Sequence, residues 1–335
     1  MKQWREELLR VLMESGEEYV RGEDLAERFG YSRAAVWKNI SVLRREGHPI
    51  EATTNRGYRI APDYREFKKK ISEALQKEKI DAFFAVTVVD ATPSTNLLAR
   101  EAGVRGDKEI GVFVAGKQTA GRGRRGRTWI SSTDEGLWFS LLIRPAADPR
   151  DASALTLLFG LCVLKAIQRI CNVPVGIKWP NDIVSLQNGK KLCGILSETS
   201  MEDNQISYAV VGCGINVSQK EFPEEIQSLA TSLLLECEGT MESSQAAKVS
   251  LLAAILSEVA LRYPAFITDP SGFIAEYRAN CATIGRPVRI ESAIPQEGIA
   301  RDISDNGDLL VSRADGTILV CTSGEVSVRG MLGYF

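Results

Sequence analysis

Gly121-Arg122-Gly123-Arg124-Arg125-Gly126-Arg127-Thr128-Trp129 opens with three glycines and four arginines in seven positions. A packed core has no use for that composition. Glycine lets backbone approach a ligand closely and take positive φ, and guanidinium forks match phosphate or carboxylate oxygens two at a time, so the stretch reads as an anion-binding loop. Lys117 to Arg127 contains five basic residues and no acidic one. The alternative is a solvated charge run or a targeting or nucleic-acid patch, but such patches rarely interleave glycine or run straight into a tryptophan and a strand.

The residues just after the loop decide the fold around it. Gly121, Gly123 and Gly126 satisfy G-x-G-x-x-G, and Gly121, Gly126, Arg127 and Thr128 come within one residue of a Walker A loop. Both motifs require a helix directly after the last glycine. Here Thr128 to Asp134 is a Ser/Thr-rich connection, and Gly136 to Ile143 (GLWFSLLI) is a short aromatic, apolar run that reads as a buried strand. The loop therefore joins two strands, the first being the Ile110 to Ala115 run.

Working outward, the pattern alternates. Strands are expected at 84–89, 110–116, 136–143, 182–187, 191–199 and 206–215, with a short apolar piece Ile177 to Trp179 and a hairpin turn at Asn188-Gly189. Helices are expected at 95–102, capped by Ser94, and at 151–171, 244–261 and 270–279, which makes an α/β or α+β unit. From Ile284 onward, short β segments separated by Asp305-Asn306-Gly307 and Ala314-Asp315-Gly316 suggest a small barrel. Arg65 to Lys79 reads as a charged connector helix with Phe67, Ile71 and Leu75 on one stripe.

The first sixty residues form a separate unit. Trp4 to Met13 and Glu23 to Phe29 read as helices, the second stopping at Gly30. Ser32 caps a third, Arg33 to Arg45, with Val36, Ile40 and Leu43 on a buried stripe and Gly47 as its stop. That is a helix-turn-helix, and the runs 50–54 and 57–60 about Asn55-Arg56-Gly57 add a two-stranded wing. Charge selects the face that meets a polyanion: residues 1–27 carry net −4, residues 28–59 net +5. Ser32, Arg33, Trp37, Lys38 and Ser41 lie off the apolar stripe and Arg56 sits at the wing tip, a set suited to DNA phosphates and base edges.

Two further segments carry chemistry. Lys178-Trp179-Pro180-Asn181-Asp182 crowds a cation, an aromatic, an amide and a carboxylate around a ladder-breaking proline, and Lys191 starts the otherwise apolar strand Lys191-Leu192-Cys193-Gly194-Ile195-Leu196. Ordinary hairpin polarity explains Asn188-Gly189 and Lys190 well, but Lys178 and Asp182 poorly. The composition, 335 residues with 44% hydrophobic, 25% charged and net charge −2, fits a soluble chain of two or three domains. No secretory signal is read at the N-terminus, and the longest apolar run, 155–164, is too short to span a bilayer, so a cytoplasmic protein without membrane association is expected. Seven cysteines with no C-x-x-C spacing and a single histidine, His48, read as buried reduced thiols and argue against zinc or a His-based triad.

Ser94-Thr95-Asn96, Gln118 before GRGRRGR, KWPND at 178–182, KLCGILSE at 191–198, GCGIN at 212–216 and GEVSVR at 324–329 together resemble the bifunctional biotin protein ligase and biotin operon repressor family. The likeness runs through all three parts of the chain, with Thr128 after GRGRRGR as a small departure. It implies a winged helix-turn-helix over 1–63, a connector helix 64–82, a catalytic domain akin to class II tRNA synthetases over 83–280, and an SH3-like β-barrel over 281–335. The implied activity is formation of biotinyl-5′-AMP from biotin and ATP with Mg²⁺, then transfer of biotin to a lysine of a biotin carboxyl carrier domain. The adenylate would also drive homodimerisation on operator DNA. Carried over by position, Ser94, Thr95, Asn96, Gln118, Gly123 and Asn216 would bind biotin or its adenylate. Arg122 to Arg124 would cover the biotin carboxylate and phosphate, Lys191 the acyl-phosphate oxygens with Lys178 assisting, and Asp182 would orient the incoming amine. The segment 218–231 would close over the adenylate, with no residue of it assigned. Two rivals are a lipoate-type ligase, disfavoured by Gln118 with GRGRRGR, and a non-catalytic transcriptional sensor, which has no need of Asp182 or Lys191.

Overall fold

The computed structural model describes residues 2–330 apart from 17, 47, 54–55, 108–109, 146–151, 204, 238–243, 292–295 and 323–326. Gly47, Asn55 and the first three residues of GEVSVR lie outside the described residues.

The N-terminal unit comprises α1 (Lys2–Glu14), α2 (Gly22–Phe29), α3 (Arg33–Arg45), β1 (Ile50–Thr53) and β2 (Gly57–Ile60). Leu8, Leu12, Leu25, Val36, Ile40, Leu43 and Ile60 make its core. Gly30 ends α2 in the left-handed region at φ 68°, and Ser32 Oγ accepts the Ala35 N–H at 3.2 Å, so the turn carries both expected signals. β1 and β2 pair antiparallel from Ile50↔Ile60, and Val20 bridges Tyr58. Gly57, at φ 110°, has no room for a side chain: a Cβ would sit 2.1 Å from the Val20 carbonyl oxygen.

His48 follows α3, and burial, with Lys68 nearby, pushes its imidazole pKa down from 6.5 to about 4. The unfolded chain thus binds more protons than the folded one across that window. Stability from the neutral ring is full above pH 6.5 and is lost as pH falls towards 4. His48→Gln is expected to flatten the acid limb of Tm against pH; an unaltered profile contradicts this.

α4 (Pro62–Lys77) starts earlier than expected, because Pro62 occupies the first turn, where a missing N–H is harmless. The central unit then runs β3 (Ala85–Thr92), α5 (Thr95–Arg105), β4 (Gly111–Gln118), β5 (Gly136–Ile143), α6 (Ala152–Ile170), β6 (Val175–Lys178), β7 (Asp182–Ser185), β8 (Lys191–Glu202), β9 (Gln205–Asn216), α7 (Leu233–Glu236), α8 (Ser244–Thr268) and α9 (Ile274–Ala279). The strands form one sheet in the order β3-β4-β5-β9-β8-β7-β6, with only β3 and β4 parallel. β5 is buried along its whole length because both faces are covered. Phe113, Leu142, Tyr208 and Val210 face α5, while Val112, Val114, Leu141 and Val211 join the main core with α6 and α8. α6 and α8 are long and apolar enough by composition to cross a bilayer, and here they pack against each other and the sheet. α4 lies along α8, with Lys70 Nζ donating to Gln245 Oε1 at 3.2 Å.

Some boundaries differ from the sequence expectation. β6 is an additional full strand, β7 stops at Ser185 where the Asn188-Gly189 turn begins, and α8 continues to Thr268 through Pro264. The remaining strands, β10 (Pro287–Glu291), β11 (Gln296–Ile303), β12 (Leu309–Ser312), β13 (Ile318–Cys321) and β14 (Ser327–Gly330), make a five-stranded antiparallel sheet ordered β13-β12-β11-β10-β14. It is fastened to the central unit by Trp179, whose indole N–H donates to the Gly307 carbonyl at 3.0 Å.

The topology places chemistry at one end of the large sheet. β3 and β4 finish there at Thr92 and Gln118, β9 finishes there at Asn216 and β8 begins there at Lys191, while the short β6–β7 connection from Lys178 to Asp182 lies level with Gly194 on β8. One row across the strands reads Lys178↔Asp182↔Gly194↔Gly214↔Trp138.

Candidate functional site

A cavity of about 690 Å³ opens at that end of the sheet, and Ser94, Thr95, Asn96, Gln118, Arg122, Gly123, Arg124, Lys178, Asp182, Lys191 and Asn216 all line it. Every ligand and catalytic candidate read from the sequence is therefore brought to one place.

One end of the cavity is a largely buried network of hydroxyls and amides that ends on one carboxylate. Ser94 stands at the start of α5 but makes no capping bond with its side chain; the Thr95 N–H is taken instead by Gln118 Oε1 at 2.8 Å. The expected Ser94 cap is thus corrected. The amide that ends β4 satisfies the helix terminus and leaves the buried Ser94 hydroxyl on the cavity wall. Gln118 Nε2 donates to Ser131 Oγ at 3.1 Å, and Ser140 Oγ lies 2.7 Å from Thr95 Oγ1 and 2.6 Å from Asn96 Oδ1. Asn96 Nδ2 in turn donates to Glu198 Oε2 at 2.7 Å. Fixed donors and acceptors of this kind suit a small, neutral, polar ring.

The arginine loop pairs with itself. Gly123 N donates to Arg127 O at 2.7 Å and Trp129 N to Gly121 O at 3.0 Å, and the tip is a single turn, Arg124–Gly126, with Arg125 at φ 56°. Of its three glycines only Gly126 takes positive φ; Gly121 is needed for space, since a Cβ there would meet the Trp129 carbonyl and Ser131 Oγ at 2.4 Å. Arg124 Nη1 donates to Asn181 Oδ1 at 3.0 Å, and Asn181 Nδ2 to Ile195 O at 2.9 Å, so the KWPND segment holds the loop's central guanidinium. Burial holds Arg124 below the ordinary arginine pKa, opposed by the Asp182 carboxylate.

Lys191 Nζ and Asp182 Oδ1 form an ion pair at 2.6 Å. The ammonium also stands 5.1 Å from the Trp129 ring. Trp129 lies over Gly194 and Gly214, register partners on β8 and β9; a Cβ on either would come within 2.9 or 2.4 Å of the indole. Two glycines side by side make a flat bed for the ring. Six cations line the cavity (Arg122, Arg124, Arg125, Arg127, Lys178 and Lys191) against three carboxylates (Glu135, Asp182 and Glu221), a balance suited to a polyanion. Trp129 Nε1 and Gln219 Oε1 are buried there without a hydrogen-bond partner among the described residues, a donor and an acceptor open to a ligand.

The far wall is the segment 219–231, in which the sequence alone singles out no residue. Gln219, Phe222, Pro223, Ile226 and Leu229 face the cavity, and Ser232 Oγ closes the segment on itself by donating to Gln219 O at 2.6 Å. Phe222, Ile226 and Leu229 could have been flagged as apolar residues in a polar stretch. Asn181 is marked in the sequence only as the amide of KWPND, and Ser131 carries no signal beyond its neighbours.

In the N-terminal unit Arg33, Trp37 and Lys38 project from the outer face of α3, Trp37 being 63% exposed, and Arg33 pairs with Glu23 at 2.9 Å. Ser32 and Ser41 have hydroxyls engaged within the helix, Ser32 at the cap and Ser41 on Trp37 O at 2.9 Å. Arg56 and Arg59 both stack on Tyr19, each 4.6 Å from the ring centre. All seven cysteines are free thiols, six of them buried, and burial pushes Cys193 and Cys213 beneath the cavity well above the ordinary thiol range. Among the described residues no three His, Cys, Asp or Glu side chains cluster as a metal site.

Residues 88–216 match the biotin/lipoate A/B protein ligase family, residues 5–59 an HTH domain and residues 283–329 the biotin protein ligase C-terminal domain. The chain is 38% identical to the bifunctional ligase/repressor BirA of Bacillus subtilis over 238 residues, covering 68% of this chain and 70% of that protein. It is 30% identical to the bifunctional ligase/repressor BirA of Salmonella typhimurium over 323 residues, 93% of this chain and 94% of that one. Among solved structures, the biotin protein ligase of Aquifex aeolicus in complex with biotin and ATP superposes with a TM-score of 0.61 at 28% identity, over 73% of this chain and 98% of the other.

Proposed function

This chain belongs to the bifunctional biotin ligase/repressors of the biotin/lipoate A/B protein ligase family, and from that premise we propose how its own residues carry the activity. It is a biotin protein ligase with a DNA-binding repressor domain. Biotin's carboxylate attacks the α-phosphorus of ATP and pyrophosphate leaves; a carrier lysine then attacks the acyl carbon of biotinyl-5′-AMP and AMP leaves.

The observation that carries the assignment of roles is the meeting of the neutral network around Gln118 with the cationic cluster around Arg124 and Lys191 in one cavity. The ureido ring needs fixed neutral donors and acceptors, which Ser94, Thr95, Asn96 and Gln118 supply. The phosphates need positive charge poised where oxygens gain negative charge, which Arg122, Arg124 and Lys191 supply with Lys178 buried close by. Gly123 lets the loop backbone come near, and Asn216, held by Thr231, closes the floor. Mg²⁺ would enter as an ion carried on triphosphate oxygens, and Asp182, Glu135 and Glu221 are the cavity carboxylates that would meet it. When bound it offsets phosphate charge.

Asp182 handles the second step. Its carboxylate, paired to Lys191, is the acceptor best placed to orient an incoming ammonium and take up its proton. The acceptor is the carrier domain of a biotin-dependent carboxylase, the working compartment the cytoplasm, and the DNA-bound form a homodimer carrying biotinyl-5′-AMP. The test is to weigh a carrier domain by mass spectrometry after incubation with protein, biotin and ATP; a carrier that gains no biotin sinks the reading. In the same assay Asp182→Asn, given preformed biotinyl-5′-AMP, is expected to transfer about 100-fold more slowly. Unchanged transfer with lost activation would instead make Asp182 a ligand of Mg²⁺.

A further inference from the structure

Glu236 ends α7 as a buried carboxylate, 7% exposed, and touches none of the groups assigned above. Three neutral donors converge on it: Ser185 Oγ at 2.5 Å, Asn188 Nδ2 at 2.8 Å and Thr231 Oγ1 at 2.6 Å. Burying a charge without a cation is expensive, and these charge-assisted bonds are what keep it there. One donor ends β7 and a second lies in the β7–β8 turn. The third belongs to the end of the segment that walls the cavity.

That geometry makes a clasp around Lys191. The lysine comes directly after the turn, and its backbone exchanges bonds with the cavity segment: Lys191 N donates to Leu229 O at 2.8 Å and Thr231 N to Lys191 O at 3.0 Å. Thr231 O also accepts Asn216 Nδ2 at 3.0 Å. Thr231 is thus tied by its N–H to Lys191, by its carbonyl to Asn216 and by its hydroxyl to Glu236. The middle of the segment is held mostly by its own turns, Ile226 N and Gln227 N both donating to Pro223 O at 2.9 Å. Its fixed end is therefore set by what Glu236 grips.

We propose that Glu236 is a positioning residue of the ligase site, a clasp that locks the 219–231 segment onto Lys191 and so sets how long the adenylate is retained. The proposal rests on the adenylate reading given above. Glutamine can replace the carboxylate's bonds: its oxygen accepts from Asn188 and Thr231 while its amide donates to Ser185, whose hydroxyl can turn. Alanine can replace none of them.

Two measurements decide it. In ligand-free protein, hydrogen exchange at residues 226–231 and at Lys191 should speed up in Glu236→Ala and stay near the parent rate in Glu236→Gln. With radiolabelled biotinyl-5′-AMP formed on the enzyme, dissociation should be on the order of tenfold faster or more in Glu236→Ala, from the loss of charge-assisted bonds, and near normal in Glu236→Gln. Thr231→Val, which keeps the shape and removes one donor, should fall between them, and it supplies the same comparison if Glu236→Ala does not fold. A purely structural carboxylate would lower Tm in Glu236→Ala while leaving exchange in the segment and adenylate release as in the parent, and that result overturns the proposal. Parent protein that forms no adenylate would defeat the functional reading, and the exchange comparison would still decide the clasp.

Discussion

Replacing Arg124 or Lys191 by alanine is expected to slow formation of biotinyl-5′-AMP by about 100-fold or more, the usual consequence of losing one donor aimed at developing charge. The two variants should differ, because their partners differ. Arg124 donates to the neutral amide of Asn181 and also stands in the field of the Asp182 carboxylate. Lys191 neutralises Asp182 at 2.6 Å, so Lys191→Ala leaves a buried carboxylate facing the incoming triphosphate and adds repulsion to the loss of attraction. Lys191→Ala should therefore be the slower, and adding Asp182→Asn to it should recover part of the activation rate while leaving transfer poor. Pyrophosphate release in a single turnover measures the step directly. Release at the parent rate from both single variants removes the arginine loop and Lys191 from the activation chemistry.

The parts legible in the sequence are those in which composition itself is the signal. GRGRRGR and KWPND advertise anion binding because charge and glycine are concentrated within a few residues, and α3 advertises its buried stripe through Val36, Ile40 and Leu43. The hidden parts depend on residues distant in sequence. Gln118 takes the first free N–H of α5 at Thr95, 23 positions earlier, so Ser94 holds the N-cap position without the side-chain bond its residue type suggests. Gly194 and Gly214 look like unrelated strand glycines until the register sets them side by side under Trp129. Glu236 draws donors from 185, 188 and 231, and nothing in its own surroundings, Leu-Leu-Leu-Glu-Cys, marks it. β6 escapes a reading of the sequence as a strand because four residues carry too little periodicity to be told from a loop.

DNA affinity should rise when biotin and ATP are supplied together and fall again when a carrier domain is added. One winged helix offers Arg28, Arg33, Lys38, Arg44, Arg45 and Arg56 as exposed cations over residues 28–59, and a set of phosphate contacts of that size gives weak binding at physiological salt. Two copies on a palindromic site multiply those contacts, so any ligand that favours pairing strengthens DNA binding by linkage, and a carrier competing for the pairing surface weakens it. A chain of contacts runs from the cavity to the connector helix. Buried Lys248 on α8 donates to the Asp134 carbonyl, beside the cavity residues Thr133 and Glu135, and stands 5.7 Å from the Phe67 ring on α4, the helix that leads to the winged unit. Arg33→Ala or Lys38→Ala should weaken DNA binding and lower its salt dependence by about one charge each, with ligation unchanged. Fluorescence anisotropy of a labelled operator, titrated with and without biotin, ATP and carrier, reads all of these at once. An affinity that ignores biotin and ATP would leave the ligase standing and break the link between catalysis and repression.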